Sequence, residues 1–180
     1  NEKLQPTMQD MNERLDDPEI IAGVRTDAAV AERAVRLMES WGKVTVRAAD
    51  TPGFIVNRIA RPFYGEALAL LHEQAAAPQV LDACLRAAGF RMGPCELIDL
   101  IGHDTNFAVT KSVYEANFFD KRYVPSLVQR EMVEGGLLGR KSGRGFVFPD
   151  AVSVPPDDAD EIALRIEATL ANEAAWLLAE

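Results

Sequence analysis

The chain has 180 residues, a formal net charge of −9 at pH 7, and 48% hydrophobic and 26% charged residues. This composition is typical of a globular protein large enough to bury a core. No stretch approaches the roughly 20 apolar residues of a membrane helix, and no basic-then-apolar leader opens the sequence, so we expect no membrane association. The acidic excess repels phosphate backbones, which argues against a nucleic-acid partner.

The sequence contains only two cysteines, Cys84 and Cys95, and two histidines. These numbers are too small for a disulfide framework and make a zinc site improbable, so no metal is expected. The default expectation is a protein of the reducing cytoplasm.

The N-terminal part predicts a strand, a helix and a second strand. Residues 1–18 are polar and irregular, and residues 19–23 form a short apolar run closed by a glycine. Thr26 and Asp27 open a helix that Gly42 ends, and alternating residues around Val44 and Val46 predict the second strand. The helix carries one apolar stripe, which consists of Val30, Ala34, Leu37, Met38 and Trp41.

After the break at Thr51-Pro52-Gly53, the sequence is helical in pattern. The first helix covers about residues 54–73 and contains Pro62, which predicts a kink because the proline lacks an N–H donor. Further helices are expected to start at Pro78, Pro94, Asp104 and Pro125. The residues expected in the core are Phe54, Ile55, Ile59, Phe63, Leu70, Leu97, Leu100, Phe107 and Val113.

The C-terminal part begins with a glycine-rich stretch over residues 139–148. Its spacing fits neither a P-loop nor a dinucleotide loop, so a structural turn leading into an extended segment is the better interpretation. Residues 149–161 contain three prolines and predict a linker, and residues 162–180 predict a helix without a stop signal. A chain ending inside such a helix looks truncated.

One internal repeat has a constant offset of 107 residues. Arg58-Ile59, Glu66-Ala67, Leu70-Leu71 and Glu73 recur as Arg165-Ile166, Glu173-Ala174, Leu177-Leu178 and Glu180. Leu164 stands at the position that corresponds to Asn57. The second copy therefore keeps the packing residues and drops the polar one.

Few side chains are candidates for catalysis or ligand binding. Asn57 is either a satisfied polar residue that fixes the helix entry or an amide that faces a ligand in a cleft. His72 and His103 are expected to be exposed or capping residues, and Cys84 to be a small core residue. Cys95 stands beside a helix start, which could lower the pKa of its thiol, but no histidine is placed to activate it.

Four blocks in order resemble a known family. They are Thr51-Pro-Gly-Phe-Ile-Val-Asn57-Arg58, then Arg61-Pro-Phe-Tyr64 with Glu66-Ala67, then Gly89-Phe-Arg-Met-Gly-Pro94 with Glu96-Leu97 and Asp99, then Gly139-Arg-Lys-Ser-Gly-Arg-Gly-Phe146. Together they resemble the C-terminal domain of L-3-hydroxyacyl-CoA dehydrogenases, and most closely the 3-hydroxybutyryl-CoA or phenylacetate-pathway type with a tandem second C-terminal domain.

The resemblance implies a mainly α-helical domain of the 6-phosphogluconate dehydrogenase C-terminal type over residues 51–148. A remnant of a Rossmann domain would occupy residues 19–50, and the start of a truncated second repeat residues 162–180. It also implies an oxidoreductase of fatty acid β-oxidation that acts on an acyl-CoA substrate, with NAD bound mainly by a Rossmann domain absent from this chain.

The same resemblance assigns Asn57 as the asparagine that faces the substrate near the reacting carbon. Glu19 corresponds to a glutamate that orients a general-base histidine in the family. The sequence departs from the pattern in two ways, because residues 1–71 hold no histidine and no G-x-G-x-x-G fingerprint is present.

The predicted function is therefore that of a fragment of an NAD-dependent 3-hydroxyacyl-CoA dehydrogenase that is inactive by itself. The alternative is a non-catalytic helical dimerisation or acyl-CoA-binding module, which a G-x-G-x-x-G upstream in the parent sequence would argue against. We also expect a homodimer, either because the tail takes the place of a missing second domain or because two chains pair with two-fold symmetry.

Overall fold

The computed structural model describes residues 18–149 and 154–179. The chain divides into two compact units, Asn1–Val56 and Asn57–Glu180. The irregular segment predicted for residues 1–18 lies outside the described residues except for Pro18, and residues 150–153 of the predicted linker do so as well. The predicted domain boundaries remain predictions.

The first unit contains the predicted strand–helix–strand. Strand β1 (Glu19–Ile21) pairs in parallel with β2 (Val46–Ala48), with Glu19 opposite Val46, and helix α1 (Ala28–Ser40) connects them. Parallel neighbours require such a crossover connection. The Asp27 carboxylate accepts a hydrogen bond of 2.7 Å from the N–H of Ala29, which caps α1 as the sequence predicts.

The predicted apolar stripe of α1 only borders its buried face. Ala31 and Val35 are buried, and Ala34 and Met38 of the stripe are half-buried. The other stripe residues, Val30, Leu37 and Trp41, are exposed. Helix α1 packs against β1, and the two-stranded sheet covers only one side of the helix. The larger apolar side chains on the neighbouring face therefore remain exposed.

The described regular elements of the second unit are helices, apart from the bridge between Gly139 and Arg144, which confirms the predicted fold class. Helix α2 starts at Val56, the last residue of the first unit, and continues through Pro62 to His72. The remaining helices are α3 (Pro78–Ala87), α4 (Pro94–Ile101), α5 (His103–Ala116), α6 (Leu127–Glu134) and α7 (Ala159–Ala179). A short 3-10 turn at Lys121–Tyr123 precedes α6, and another at Arg140–Ser142 lies in the glycine-rich stretch.

The core of this unit is formed by α2, α3, α4 and α7. Its buried residues are Phe63, Tyr64, Ala67, Leu68, Leu70, Leu81, Cys84, Leu85, Cys95, Ile98, Ala159 and Ile166. Cys84 is thus the core residue that the sequence predicts. Among the described residues, no helix combines the length and the apolar character that crossing a bilayer requires.

The predicted core residues have three different outcomes. Phe63, Leu70 and Val113 are buried as predicted. The half-buried ones are Phe54, Ile55, Ile59, Leu97 and Phe107. Leu100 is 46% exposed, so its prediction is wrong. Helix α4 buries the face that carries Cys95, Ile98 and Asp99, which leaves Leu100 on the opposite side.

Candidate functional site

Glu19 is the first residue of β1 and caps the start of the next long helix. Its Oε1 atom accepts hydrogen bonds from the N–H groups of Ile55 (2.7 Å) and Val56 (3.0 Å). These donors are among the amides that a helix leaves unsatisfied at its N-terminus, where the helix dipole also favours negative charge. The sequence did not predict this capping contact.

Asn57 is the second residue of α2, and its side chain is exposed. Its backbone carbonyl accepts a hydrogen bond from Arg61 Nε at 3.3 Å. Within residues 18–149 and 154–179, no hydrogen bond engages its side-chain amide. The exposed amide is available to water or to a ligand oxygen, so both interpretations of Asn57 remain predictions.

Asp99 binds the end of the glycine-rich stretch to α4. Its Oδ1 accepts from the N–H of Phe146 (2.9 Å), and its Oδ2 accepts from those of Val147 (2.8 Å) and Phe148 (2.9 Å). The Nε2 atom of His103 lies 2.9 Å from Oδ1. One buried carboxylate thus holds three consecutive backbone amides and an imidazole.

His103 is fully buried, so the prediction of an exposed or capping histidine is wrong, whereas His72 is exposed as predicted. Burial by itself would raise the pKa of Asp99, but the hydrogen bonds from His103 and the three amides lower it below its usual range. Because both side chains are closed to solvent, this acid–base pair offers no face to a substrate. Its role is structural.

The glycines of this stretch are required by Asp99 rather than by a phosphate. Gly139 has φ +85°, and a Cβ there would lie 2.6 Å from Asp99 Cα. A Cβ at Gly145 would collide with the Asp99 carboxylate. Gly139 also pairs with Arg144 in an antiparallel bridge. The prediction of a structural turn is confirmed.

Asp82 of α3 plays a similar part at the start of α4. Its carboxylate oxygens accept hydrogen bonds of 2.9 Å from the N–H groups of Cys95 and Glu96. Burial raises the pKa of Asp82 to about 6, although these hydrogen bonds oppose the shift. Burial, followed by the charges of Asp82 and Asp99, also raises the pKa of the Cys95 thiol well above its usual value. The predicted lowering of that pKa is wrong, because the thiol is buried at the helix start.

A buried polar cluster joins α2 to α7. Arg58 Nε donates to Glu173 Oε1 at 2.8 Å and lies 3.0 Å from the Tyr123 hydroxyl, which also donates to Glu173. Arg122 Nη1 donates to Glu173 Oε2 at 3.1 Å. Burial and the bond to Glu173 raise the pKa of Tyr123 to about 12. The sequence repeat contains Arg58 and Glu173 but did not predict that they pair.

Comparison with known proteins decides the family. The family model for the 3-hydroxyacyl-CoA dehydrogenase C-terminal domain matches residues 53–148, more than half of the chain. The chain belongs to this family. The resemblance read from the four sequence blocks is thereby confirmed, and 3-hydroxyacyl-CoA dehydrogenases are NAD-dependent oxidoreductases.

Two curated relatives show the extent of the similarity. The 3-hydroxyadipyl-CoA dehydrogenase of Escherichia coli K12 is 59% identical over 128 residues, which are 71% of this chain and 27% of the relative. A probable 3-hydroxybutyryl-CoA dehydrogenase of Deinococcus radiodurans is 38% identical over 129 residues, 71% of this chain and 46% of the relative. The chain therefore spans between a quarter and a half of these relatives.

Solved structures of 3-hydroxybutyryl-CoA dehydrogenases show a similar partial match to this chain. A crystal structure of 3-hydroxybutyryl-CoA dehydrogenase from Escherichia coli K12 aligns with a TM-score of 0.69 and 58% identity, covering 71% of this chain and 27% of that chain. The (S)-3-hydroxybutyryl-CoA dehydrogenase of Ralstonia eutropha aligns with a TM-score of 0.68 and 37% identity. The alignment covers 75% of this chain and 47% of that chain. Both matches support the helical fold of the second unit.

The described residues do not fit NAD. A dinucleotide site places the pyrophosphate on a glycine-rich turn at a helix N-terminus. The turn after β1 contains one glycine, Gly23, and the carboxylate of Asp27 already accepts an N–H at the start of α1. A negative charge at that position would repel a pyrophosphate.

Proposed function

We propose that this chain forms the acyl-CoA-facing helical part of an NAD-dependent 3-hydroxyacyl-CoA dehydrogenase, which oxidises 3-hydroxyacyl-CoA to 3-oxoacyl-CoA. The proposal rests on one observation in a chain of this family. The Asn57 amide is exposed at the start of α2 and bonds no described group.

In this proposal Asn57 Nδ2 donates to an oxygen of the substrate near the reacting carbon. A positioned amide stabilises charge that develops on that oxygen as the carbon is oxidised. NAD, held by a nucleotide domain outside these residues, would supply the hydride acceptor, and a general base would take the proton of the substrate hydroxyl.

Glu19 is proposed to orient the general-base histidine. Its Oε1 accepts hydrogen bonds from the N–H groups of Ile55 and Val56, and no described group bonds its Oε2. Oε2 is therefore the oxygen that would accept the histidine N–H. A glutamate fixed by two backbone donors holds a constant position for such a bond.

A chimeric enzyme tests the role of Asn57. Residues 53–148 of this chain would replace the matching segment of the Escherichia coli 3-hydroxyadipyl-CoA dehydrogenase, and NADH formation would be followed with a 3-hydroxyacyl-CoA. We expect an active chimera in which Asn57→Ala lowers kcat/KM by about 10- to 1000-fold. Gln79→Ala, which removes an exposed amide from α3, is the matched control and should leave kcat/KM unchanged.

The outcomes separate the two functional classes. Equal kinetics of the Asn57→Ala chimera and its control would return Asn57 to a structural role. A chimera that folds and binds acyl-CoA but produces no NADH would favour the non-catalytic acyl-CoA-binding module. The chain by itself should produce no NADH from NAD and 3-hydroxybutyryl-CoA.

We also propose that the protein acts in the cytoplasm, as its two free, buried cysteines allow. The predicted homodimer stays a prediction. The contacts of Arg58 with Glu173 and of Arg165 with Glu73 support the route in which the tail occupies this face of α2, and two-fold pairing through the same face would require α7 to move away.

A further inference from the structure

Two arginines of α2 are buried, and they differ in their partners. Arg58 is 3% exposed and donates to the carboxylate of Glu173 at 2.8 Å. Arg61, less than one turn farther along the helix, is 6% exposed, and no carboxylate of the described residues pairs with it. A buried cation without a counter-charge is costly, so its presence needs a reason.

Neutral groups surround the guanidinium of Arg61. Its Nε donates to the carbonyl of Asn57 at 3.3 Å, and its Nη1 donates to Thr110 Oγ1 at 3.0 Å and to the carbonyl of Asn106 at 3.4 Å. The guanidinium carbon lies 4.8 Å from the centre of the Tyr64 ring, in a cation–π contact. Within residues 18–149 and 154–179, no group bonds Nη2, so this end of the guanidinium remains for another acceptor.

The backbone of the fold does not need the charge of Arg61. The carbonyls of Asn57 and Asn106 lie inside α2 and α5, where each also accepts the N–H of the residue four positions later. Burial lowers the pKa of Arg61, and the charge interaction with Tyr64 opposes this shift only in part. A charge that the folded chain disfavours is typical of a residue kept for function.

Arg61 and Asn57 lie on the same face of α2. Residues four positions apart are neighbours on a helix, and side chains lean toward the helix N-terminus. The contact between Arg61 Nε and the Asn57 carbonyl therefore places the guanidinium beside the turn that begins with Asn57. A ligand that touches both side chains spans about one turn of helix, roughly 5.4 Å.

We propose that Arg61 is a specificity-determining residue, which binds a carboxylate at the far end of the acyl chain. The inference rests on the proposed function, in which Asn57 donates to the oxygen of the reacting carbon. In a six-carbon dicarboxylic chain, the second carboxylate stands three carbon–carbon bonds of about 1.5 Å each beyond the reacting carbon, which suits one turn of helix. The substrate class is then a 3-hydroxyacyl-CoA whose acyl chain is a dicarboxylic acid.

The burial of Arg61 would make this recognition selective. A terminal carboxylate supplies the missing counter-charge and accepts hydrogen bonds from the planar guanidinium, whereas a terminal methyl group leaves the cation unpaired. A site that bonds a polar group of its substrate rejects an analogue without that group strongly. We therefore expect a preference for dicarboxylic over monocarboxylic acyl chains of the same length.

A first test asks whether the fold needs Arg61. Urea unfolding of the full chain would compare Arg61→Met with Arg58→Met, which both replace a buried guanidinium by an apolar side chain. We expect Arg61→Met to keep or raise the urea midpoint, because it removes a charge without a counter-charge, and Arg58→Met to lower it, because it takes the buried arginine from Glu173. An equally large fall in both variants would assign Arg61 to the fold and overturn the proposal.

A second test measures specificity in the chimeric enzyme that contains residues 53–148 of this chain. Its substrates are 3-hydroxyadipyl-CoA and 3-hydroxyhexanoyl-CoA, which differ in having a carboxylate or a methyl group at the end of the chain. We expect Arg61→Met to lower the ratio of the two kcat/KM values by about 10- to 100-fold, as the loss of one buried charge-assisted hydrogen bond would. The change should lie mainly in KM, because the carboxylate is remote from the reacting bonds.

Arg130→Met is the matched control, because Arg130 lies on α6 in an exposed pair with Glu134. It should leave the ratio unchanged, and circular dichroism would verify that both variants are folded. An equal fall of the ratio in both variants would indicate a general loss of positive charge and would overturn the role of Arg61.

The remaining outcomes separate this inference from the proposed function. A folded chimera that oxidises neither compound would contradict the proposed function and, with it, the role of Arg61. A chimera that oxidises both compounds with equal kcat/KM, or whose ratio survives Arg61→Met, would overturn the role of Arg61 alone and leave the proposed function standing.

Discussion

Asp99 and Val147 are 48 residues apart in the sequence, and the carboxylate of one accepts a 2.8 Å hydrogen bond from the backbone N–H of the other. The neighbouring amides of Phe146 and Phe148 bond the same carboxylate. A stretch with a glycine-rich, basic sequence is thus bound to α4 by a buried acid. This contact explains why the stretch is a turn and not an anion-binding loop.

Asp99→Asn should lower the free energy of unfolding by about 2 to 4 kcal/mol, because an amide keeps one acceptor oxygen and buries two unmatched donors among N–H groups. Urea denaturation measures the change. Asp157→Asn, which alters an exposed aspartate, is the control and should stay within about 0.5 kcal/mol of the unmodified chain. A stability of Asp99→Asn equal to that of the control would disprove the anchoring role.

Gly145→Ala and Gly65→Ala should have opposite effects. The Cβ at Gly145 meets the Asp99 carboxylate, and the collision should cost about 1 to 3 kcal/mol. The Cβ at Gly65, inside α2, meets no atom within 4 Å, so the higher helix propensity of alanine should stabilise the chain by about 0.5 to 1 kcal/mol. Thermal unfolding of both variants checks the signs, and a destabilised Gly65→Ala would contradict this account of α2.

Asp82 should make stability depend on pH. Burial raises its pKa to about 6 in the folded chain, whereas an unfolded aspartate titrates near about 4. The folded state therefore binds the proton more tightly, and its contribution is complete below about pH 4 and lost as the pH rises through about 6. The unmodified chain should lose about 2 to 3 kcal/mol relative to Asp82→Asn between pH 4 and pH 7.

The measurement is the difference between the unfolding free energies of these two proteins at several pH values, which cancels the titration of the other groups. A difference that stays flat, or that favours the unmodified chain as pH rises, would mean that the two N–H donors outweigh burial at Asp82.

Cys95 should be unreactive in the folded chain. Burial raises the pKa of its thiol, so little thiolate forms at neutral pH, and the sulfur is closed to reagents. Thiol titration with an aromatic disulfide should therefore detect neither cysteine before unfolding and both in urea. Rapid labelling of Cys95 under native conditions would contradict the buried helix start. The labelling that is lost in the Cys95→Ser variant is assigned to Cys95.

The sequence by itself determined the helical fold class, most helix starts and the family. The start of a helix depends on residues close to it in the sequence. Asp27 caps α1, and Pro78 and Pro94 occupy the first positions of α3 and α4. The glycine-rich turn was predictable for the same reason. The repeat was also visible, because packing residues recur at a constant offset.

The tertiary structure alone decided which polar residues are buried and what they bind. Asp82, Asp99 and His103 have helical positions that suit an exposed residue, and only distant segments of chain supply their burial and partners. The same reason explains the errors at Leu100 and on α1, since periodicity identifies an apolar face but not what covers it. The Arg58–Glu173 pair joins residues 115 apart, and its register depends on how α2 and α7 pack. Hydrogen bonds and desolvation act through space, so local patterns do not specify them.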